Sequence, residues 1–327
     1  MMSRRLCTSL IAMFMALAPL LAQAHTRPRP TPENIWAAWY LDPVIAISML
    51  VGSWLYLRGV RDLWSTVGQD KLISSRQRTS WIVAMASLAI ALFSPLDALG
   101  GALFSAHMVQ HLILFVVTPW LLAYARPGLG IWWGIPATWR SRIGSGVGSS
   151  GVIRVLHQAS RNPIVIVTMF TAVLWLWHTP ALYNAALRSD FVHAVEHFSF
   201  MAGAYLLWSW LLSVHYGTTG PGANRQGLAI LIVFVTVMQS GVLGAILTFS
   251  RNPLYDMHEG YTQAWGLSLL QDQQLAGVLM WVPMGLTFTL VALLLFRSLL
   301  IASERQARRR EETEARMPGS PATEVQP

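Results

Sequence analysis

Two pairs of histidines could do chemistry in this chain by type and spacing. His107 and His111 lie four residues apart in FSAHMVQHLILF, and His193 and His197 repeat that spacing in HAVEHFSF. Four residues is a little more than one helical turn, so each pair stacks its imidazoles on one helix face. Both pairs sit in otherwise apolar runs, where ionisable side chains are costly and are retained to pair with each other or to bind something. Neutral imidazole is the commonest transition-metal ligand, suited to Cu, Zn, Fe and Ni. The two pairs, if they meet, make a metal site.

Other donors fall into place around them. His178 ends the run LWLWHTP, and Asp272 and Gln273 stand at the head of the last apolar stretch. Asp272 reads equally as a ligand, as a hydrogen-bond partner of a ligand, or as a helix N-cap. Glu196 precedes His197 by one residue, which puts it on a different face from that histidine. It reads as an acceptor for an imidazole N–H or as a first-turn acid favoured by the helix dipole. Met108, Met238, Met280 and Met284 read as packing, and the segment Tyr255–Glu259 as a short polar loop.

The elements that must position these groups are membrane helices. The chain of 327 residues is 54% hydrophobic and only 12% charged, about half the charged fraction of soluble domains. Residues 1–24 have a basic start (Arg4, Arg5), an apolar run and an Ala22-Gln23-Ala24 end, the pattern of a cleavable signal peptide. That segment carries Cys7, the single cysteine, so the mature chain would have no thiolate ligand, disulfide or cysteine nucleophile. Cleavage would leave His25 with its α-amine beside its imidazole, a chelating pair for Cu(II). Residues 25–40 form a Pro-rich periplasmic segment, residues 41–300 a transmembrane domain, and residues 301–327 a charged, disordered cytoplasmic tail.

Seven apolar stretches follow the Pro-rich segment, near 41–57, 81–96, 101–124, 163–177, 191–214, 228–249 and 269–300. Each approaches the roughly 20 residues that a bilayer needs. Between the third and fourth lie IWWGIPATW, suited to the interface plane, and GSGVGSSG, which reads as a flexible linker. The net charge of +8 is topological, with no nucleic-acid signature. Arg58, Arg61, Lys71, Arg76 and Arg78 share one side with Arg126, Arg140, Arg142, Arg154 and Arg161 and with the basic tail. The other side has only Arg27, Arg29, Arg188 and Arg251. The positive-inside rule then puts the mature N-terminus outside and the C-terminus inside. The fold class expected is all-α and polytopic, with seven spans. In that orientation His107, His111, His178, His193, His197 and Asp272 all lie in one layer near the outer surface.

FSPLD, HMVQH, WHTP, HAVEHFSF and DQQLAGVLMW, in that order, resemble the CtaG-type cytochrome c oxidase assembly proteins associated with caa3 oxidase. The resemblance covers nearly the whole mature chain, and its motif positions are His107, His111, His178, His193, His197, Asp272 and Gln273. It implies a non-enzymatic role in maturing a haem-copper oxidase at its copper step. The partners implied are an oxidase subunit and a periplasmic copper chaperone, and the location a bacterial inner membrane. Two readings compete: a bis-histidine haem protein, in which two of four histidines would be surplus, and a copper transporter, which needs polar groups continuing through the bundle. No hydrolase, nucleotide-binding or HExxH motif is present.

Overall fold

Proline, serine and aspartate punctuate the apolar runs and decide where each helix begins. The computed structural model describes residues 29–149, 151–215 and 223–316; the expected signal peptide and His25 fall outside them. Every long element among the described residues is helical. Helix α1 (Pro43–Val67) starts at Asp42, whose carboxylate accepts from the N–H groups of Val44 and Ile45 at 2.8 and 3.0 Å, with proline in the first turn where its missing N–H costs nothing. Helix α2 (Ser75–Phe93) opens on a reciprocal Ser74–Gln77 capping box. Ser94 and Pro95 end it and begin α3 (Pro95–Ala102), and the pair is bent by 43°.

The third apolar stretch is α4 (Phe104–Leu112), a π-helical turn (Ile113–Val117) and α5 (Thr118–Ala125). Pro119 cannot donate to the carbonyl of Phe115 and its ring crowds that carbonyl, so the widened turn before it relieves a clash that a regular helix would carry. Next come α6 (Pro127–Gly134), α7 (Ala137–Ser149), α8 (Gly151–Ala159), α9 (Pro163–Trp177), α10 (Pro180–Arg188), α11 (Asp190–His215), α12 (Ala223–Phe249) and α13 (Leu269–Arg316). Pro180 turns the chain through 74° between α9 and α10.

All seven expected apolar stretches are mainly helical, the second and third being interrupted at Ser94 and Leu103. Four helices, Pro43–Val67, Phe104–Ala125, Arg225–Phe249 and Leu269–Ile301, are long and apolar enough to cross a membrane, and the two bent pairs raise the number to as many as six. Helix α11 has 26 residues, about 39 Å at 1.5 Å per residue, but His193, Glu196 and His197 dilute its hydropathy. Leu50 and Trp54 of α1, Phe234 and Val242 of α12, and Leu286 and Leu290 of α13 are exposed; apolar faces of this extent mark a surface that meets lipid or another protein.

Helix also accounts for three further segments of the chain. The Trp-rich segment is the helix α6 packed on α1: a Cβ added at Gly59 would lie 1.8 Å from the Gly130 carbonyl oxygen, and one at Gly134 would lie 1.9 Å from that of Leu55. Small residues permit this backbone approach. The Gly/Ser-rich segment falls within α7 through Ser149, not in a linker. The charged tail, for which disorder is the expectation, continues α13 to Arg316, with Arg308 and Glu304 paired one turn apart at 2.7 Å.

What locates the site is a cap supplied across the bundle. Leu103, at the start of α4, offers no side-chain cap. Asp272 of α13 does so instead: its carboxylate accepts from the Phe104 N–H at 2.6 Å, from the Ser105 N–H at 3.1 Å and from the Ser105 hydroxyl at 2.5 Å, fully buried. Helix α13 in turn crosses α12 closely, for a Cβ on Gly277 would meet the Thr248 amide nitrogen at 2.8 Å and the Gly244 carbonyl oxygen at 2.9 Å. Asp272→Ala is therefore expected to orphan two buried N–H groups and cost roughly 3 kcal/mol, read as a lower midpoint of thermal unfolding in detergent. An unchanged midpoint would remove the cap from this account. Gly277→Val should separate α12 from α13 and sharply reduce the yield of folded protein, measured by size-exclusion chromatography against Gly285→Val, which has open space around it.

Candidate metal centre

Four helices bring their polar residues to one end of the bundle: α4, α11 and α13 by their first turns, α9 by its last. The geometry follows from alternating chain direction and from two further ties. The Trp177 indole N–H donates to the Ser199 hydroxyl at 2.8 Å, joining α9 to α11. Gln110, on the flank of α4 beside the histidine pair, donates to the Ala91 carbonyl at 2.9 Å and to Asp97 at 2.8 Å. Thus the FSPLD segment, through Asp97, braces the side of the histidine helix.

The two histidine pairs meet. Ring centroids are 4.1 Å apart for His107 and His111, 4.1 Å for His193 and His197, 5.4 Å for His107 and His193, and 5.3 Å for His111 and His197. Glu196 lies among them, not on another face: its Oε1 is 3.9 Å from the His107 Nε2 and 3.8 Å from the His111 Nε2. Residues 193, 196 and 197 stand in the i, i+3, i+4 relation, so they form one stripe. Spacing from His197 alone conceals this, and spacing from His193 reveals it.

Donor atoms of His107, His111 and Glu196 lie within 4.8 Å of one another, in fully buried surroundings. Both ring nitrogens of His107 and of His111, the Nε2 atoms of His193 and His197, and Glu196 Oε2 are buried with no hydrogen-bond partner. A buried carboxylate left this way costs several kcal/mol unless a cation compensates it. Two imidazoles and a carboxylate suit a borderline divalent metal, and the orphaned atoms fit one.

The remaining expected residues hold the frame. Asp272 spends both oxygens on the α4 cap, and Gln273 clamps the end of α12 and the loop before α13, accepting from the Leu254 N–H at 2.6 Å and donating to the Leu247 carbonyl at 3.4 Å. His178 is buried beside the cluster, with its Nδ1 2.7 Å from the Leu174 carbonyl and its Nε2 unpartnered. His25 lies outside the described residues.

Three residues were not visible as site residues in the sequence. Tyr183, on α10, sets its ring 5.3 Å from that of His107 and shares a 2.7 Å hydrogen bond with His258. Tyr255 donates to the His178 carbonyl at 2.6 Å. The segment Tyr255–Glu259 is thus no simple polar loop, since Tyr255 and His258 are buried and close the cluster from above. Burial, then the proximity of His107 and Arg29, pushes the His258 imidazole down to about 3. Arg29 holds the loop, donating to the Met257 carbonyl at 2.5 Å and lying 4.0 Å over the Tyr261 ring. Only the density of donors in Tyr-Asp-Met-His-Glu hinted at this.

Comparison with known proteins agrees with the motif order. No solved structure matches. The chain is 24% identical over 261 residues to the uncharacterized protein Mb0105 of Mycobacterium bovis and to the uncharacterized protein MT0111 of Mycobacterium tuberculosis. It is 21% identical over 269 residues to the uncharacterized protein ML1998 of Mycobacterium leprae. Each match covers 77% of this chain but only 38% of the relative, so the chain spans well under half the length of these proteins. A family model described as cytochrome c oxidase caa3 assembly factor (Caa3_CtaG) matches residues 54–301. These residues hold every motif named above, and the chain belongs to that family.

Proposed function

We propose that this protein holds copper at His107, His111 and Glu196 and passes it to a haem-copper oxidase subunit during assembly. The observation that carries the reading is the buried triad, two imidazoles and a carboxylate within 4.8 Å, with its orphaned atoms. Family membership supplies the oxidase. His193 and His197 flank the triad as further donors, so a bound ion could exchange one imidazole for another without leaving the cluster. Imidazole and carboxylate without thiolate give an exchangeable site, as delivery requires. The protein would act by holding and releasing an ion rather than by catalysis.

The membrane arrangement proposed has seven spans in a bacterial inner membrane, with α11 as the span that the site residues make less apolar. The charge bias supports a periplasmic position for the cluster, where a copper chaperone would load it. Both rivals fare less well. A porphyrin needs a pocket of some 300 Å³ or more, whereas the imidazoles of the two pairs close to within 5.4 Å of one another and the cavity beside them is about 30 Å³. A transporter needs a polar path, yet further along the same helices the core is Phe115, Phe170, Trp208 and Phe288.

The test is copper content and affinity of the purified chain. His107→Ala and Glu196→Gln should each weaken Cu(II) binding by more than the 10–100-fold typical of a residue that only supports a ligand. Copper binding equal to wild type in both variants would sink the assignment, and a strong Soret band would favour haem. In cells, His107→Ala should leave the oxidase present but deficient in copper, measured by metal analysis of isolated membranes. Normal oxidase copper in that strain would break the link to assembly.

A further inference from the structure

Beside the histidine cluster lies a partly open cavity of about 30 Å³, lined in part by His111, His178, Met108, Met280 and Met284. That is room for a single water or ion. Met108, Met280 and Met284 are 2%, 7% and 3% exposed, and they come from two helices, α4 and α13. His178 is equally committed. Its Nδ1 lies 2.7 Å from the Leu174 carbonyl, and only a protonated Nδ1 can hydrogen-bond to that oxygen. The lone pair of the neutral ring is then on Nε2, which is buried and unpartnered. A hydrogen bond that fixes the tautomer and frees the other nitrogen is the arrangement found behind metal-binding histidines.

We propose that this cavity is a second metal position, taking Cu(I) on the thioethers of Met108, Met280 and Met284 with His178 Nε2, and sharing His111 with the triad above. The proposal rests on the copper reading of that triad. Charge separates the two positions. Glu196 gives the upper one an anionic donor suited to a divalent ion, whereas every lining donor below is neutral. The cost of burying an ion rises steeply with its charge, so the lower position suits a monovalent one. Thioether sulfur is a soft ligand that selects Cu(I) over harder ions. His111 belongs to both sets, and both of its ring nitrogens are buried and unpartnered.

The full-length chain purified in detergent and loaded anaerobically with Cu(I) against a competing chelator would be studied by X-ray absorption at the copper edge. Sulfur is expected in the copper coordination sphere of the wild type. The double variant Met280→Leu/Met284→Leu conserves volume and so should fold. It is expected to lose most of that sulfur signal and to bind Cu(I) at least tenfold more weakly, with Cu(II) binding unchanged. Nitrogen and oxygen scattering alone in the wild type, or an undiminished sulfur signal in the double variant, would overturn the proposal. Glu196→Gln is the separating arm. It should weaken Cu(II) and spare the sulfur signal, and its failure to weaken Cu(II) would count against the triad and not against the thioether position.

Discussion

A carboxylate buried among imidazoles inside an apolar bundle is the constraint on which the rest of the structure turns. Glu196 Oε2 has no partner, and Oε1 faces two histidine nitrogens at distances too long for ordinary hydrogen bonds. Desolvating such a group costs several kcal/mol, a large share of the 5–15 kcal/mol that keeps a typical protein folded. Sound packing must therefore hold the cluster together from outside. Asp272 caps the helix that carries the first histidine pair, the Trp177–Ser199 bond ties the second pair to the helix of His178, and Tyr255 and His258 close the top. Asp272 and Tyr255 make buried hydrogen bonds and Trp177 and Ser199 a partly buried one, so the frame is satisfied at these points where the centre is not.

The family motifs acquire separate physical meanings on this frame. HMVQH does two jobs: its histidines look into the centre while Gln110, on their flank, ties the helix to Ala91 and Asp97. WHTP is a helix end whose proline turns the chain away and leaves His178 at the boundary. DQQLAGVLMW contributes no expected ligand directly, for Asp272 and Gln273 are structural ties and Gly277 permits close helix crossing.

How much of this the sequence could reveal depended on whether the signal was local. The histidine pairs, their apolar setting and the order of helices are periodic features, and the pairs meet as their shared depth suggested. Glu196 reads as facing elsewhere when placed against His197 alone, whereas the whole i, i+3, i+4 stripe from His193 puts it in the cluster. Asp272 could be recognised as a possible cap, but the helix it caps lies 168 residues away, which no local pattern encodes. The convergence of Met108, Met280 and Met284 is equally non-local. Gly59, Gly130 and Gly134 mark helix-to-helix contact only once α1 and α6 are known to be neighbours. The Gly/Ser-rich run looked like a linker by composition, yet it is helical through Ser149.

The π-helical turn at Ile113–Val117 has a consequence for how one segment serves two neighbourhoods. Inserting a wide turn changes angular phase: the residues after it no longer continue the stripe begun by His107 and His111. Phe115, within the turn and four residues past His111, still joins the aromatic core under the cluster, while Leu121, Leu122 and Ala125 beyond the turn join the separate group around Tyr56 and Trp81. One residue removed from that turn would rotate the two halves by about 100° relative to each other, turning either the imidazoles or the leucines out of place. The segment thus acts as a fixed coupling between the histidine end of the bundle and the glycine-packed helices beyond it.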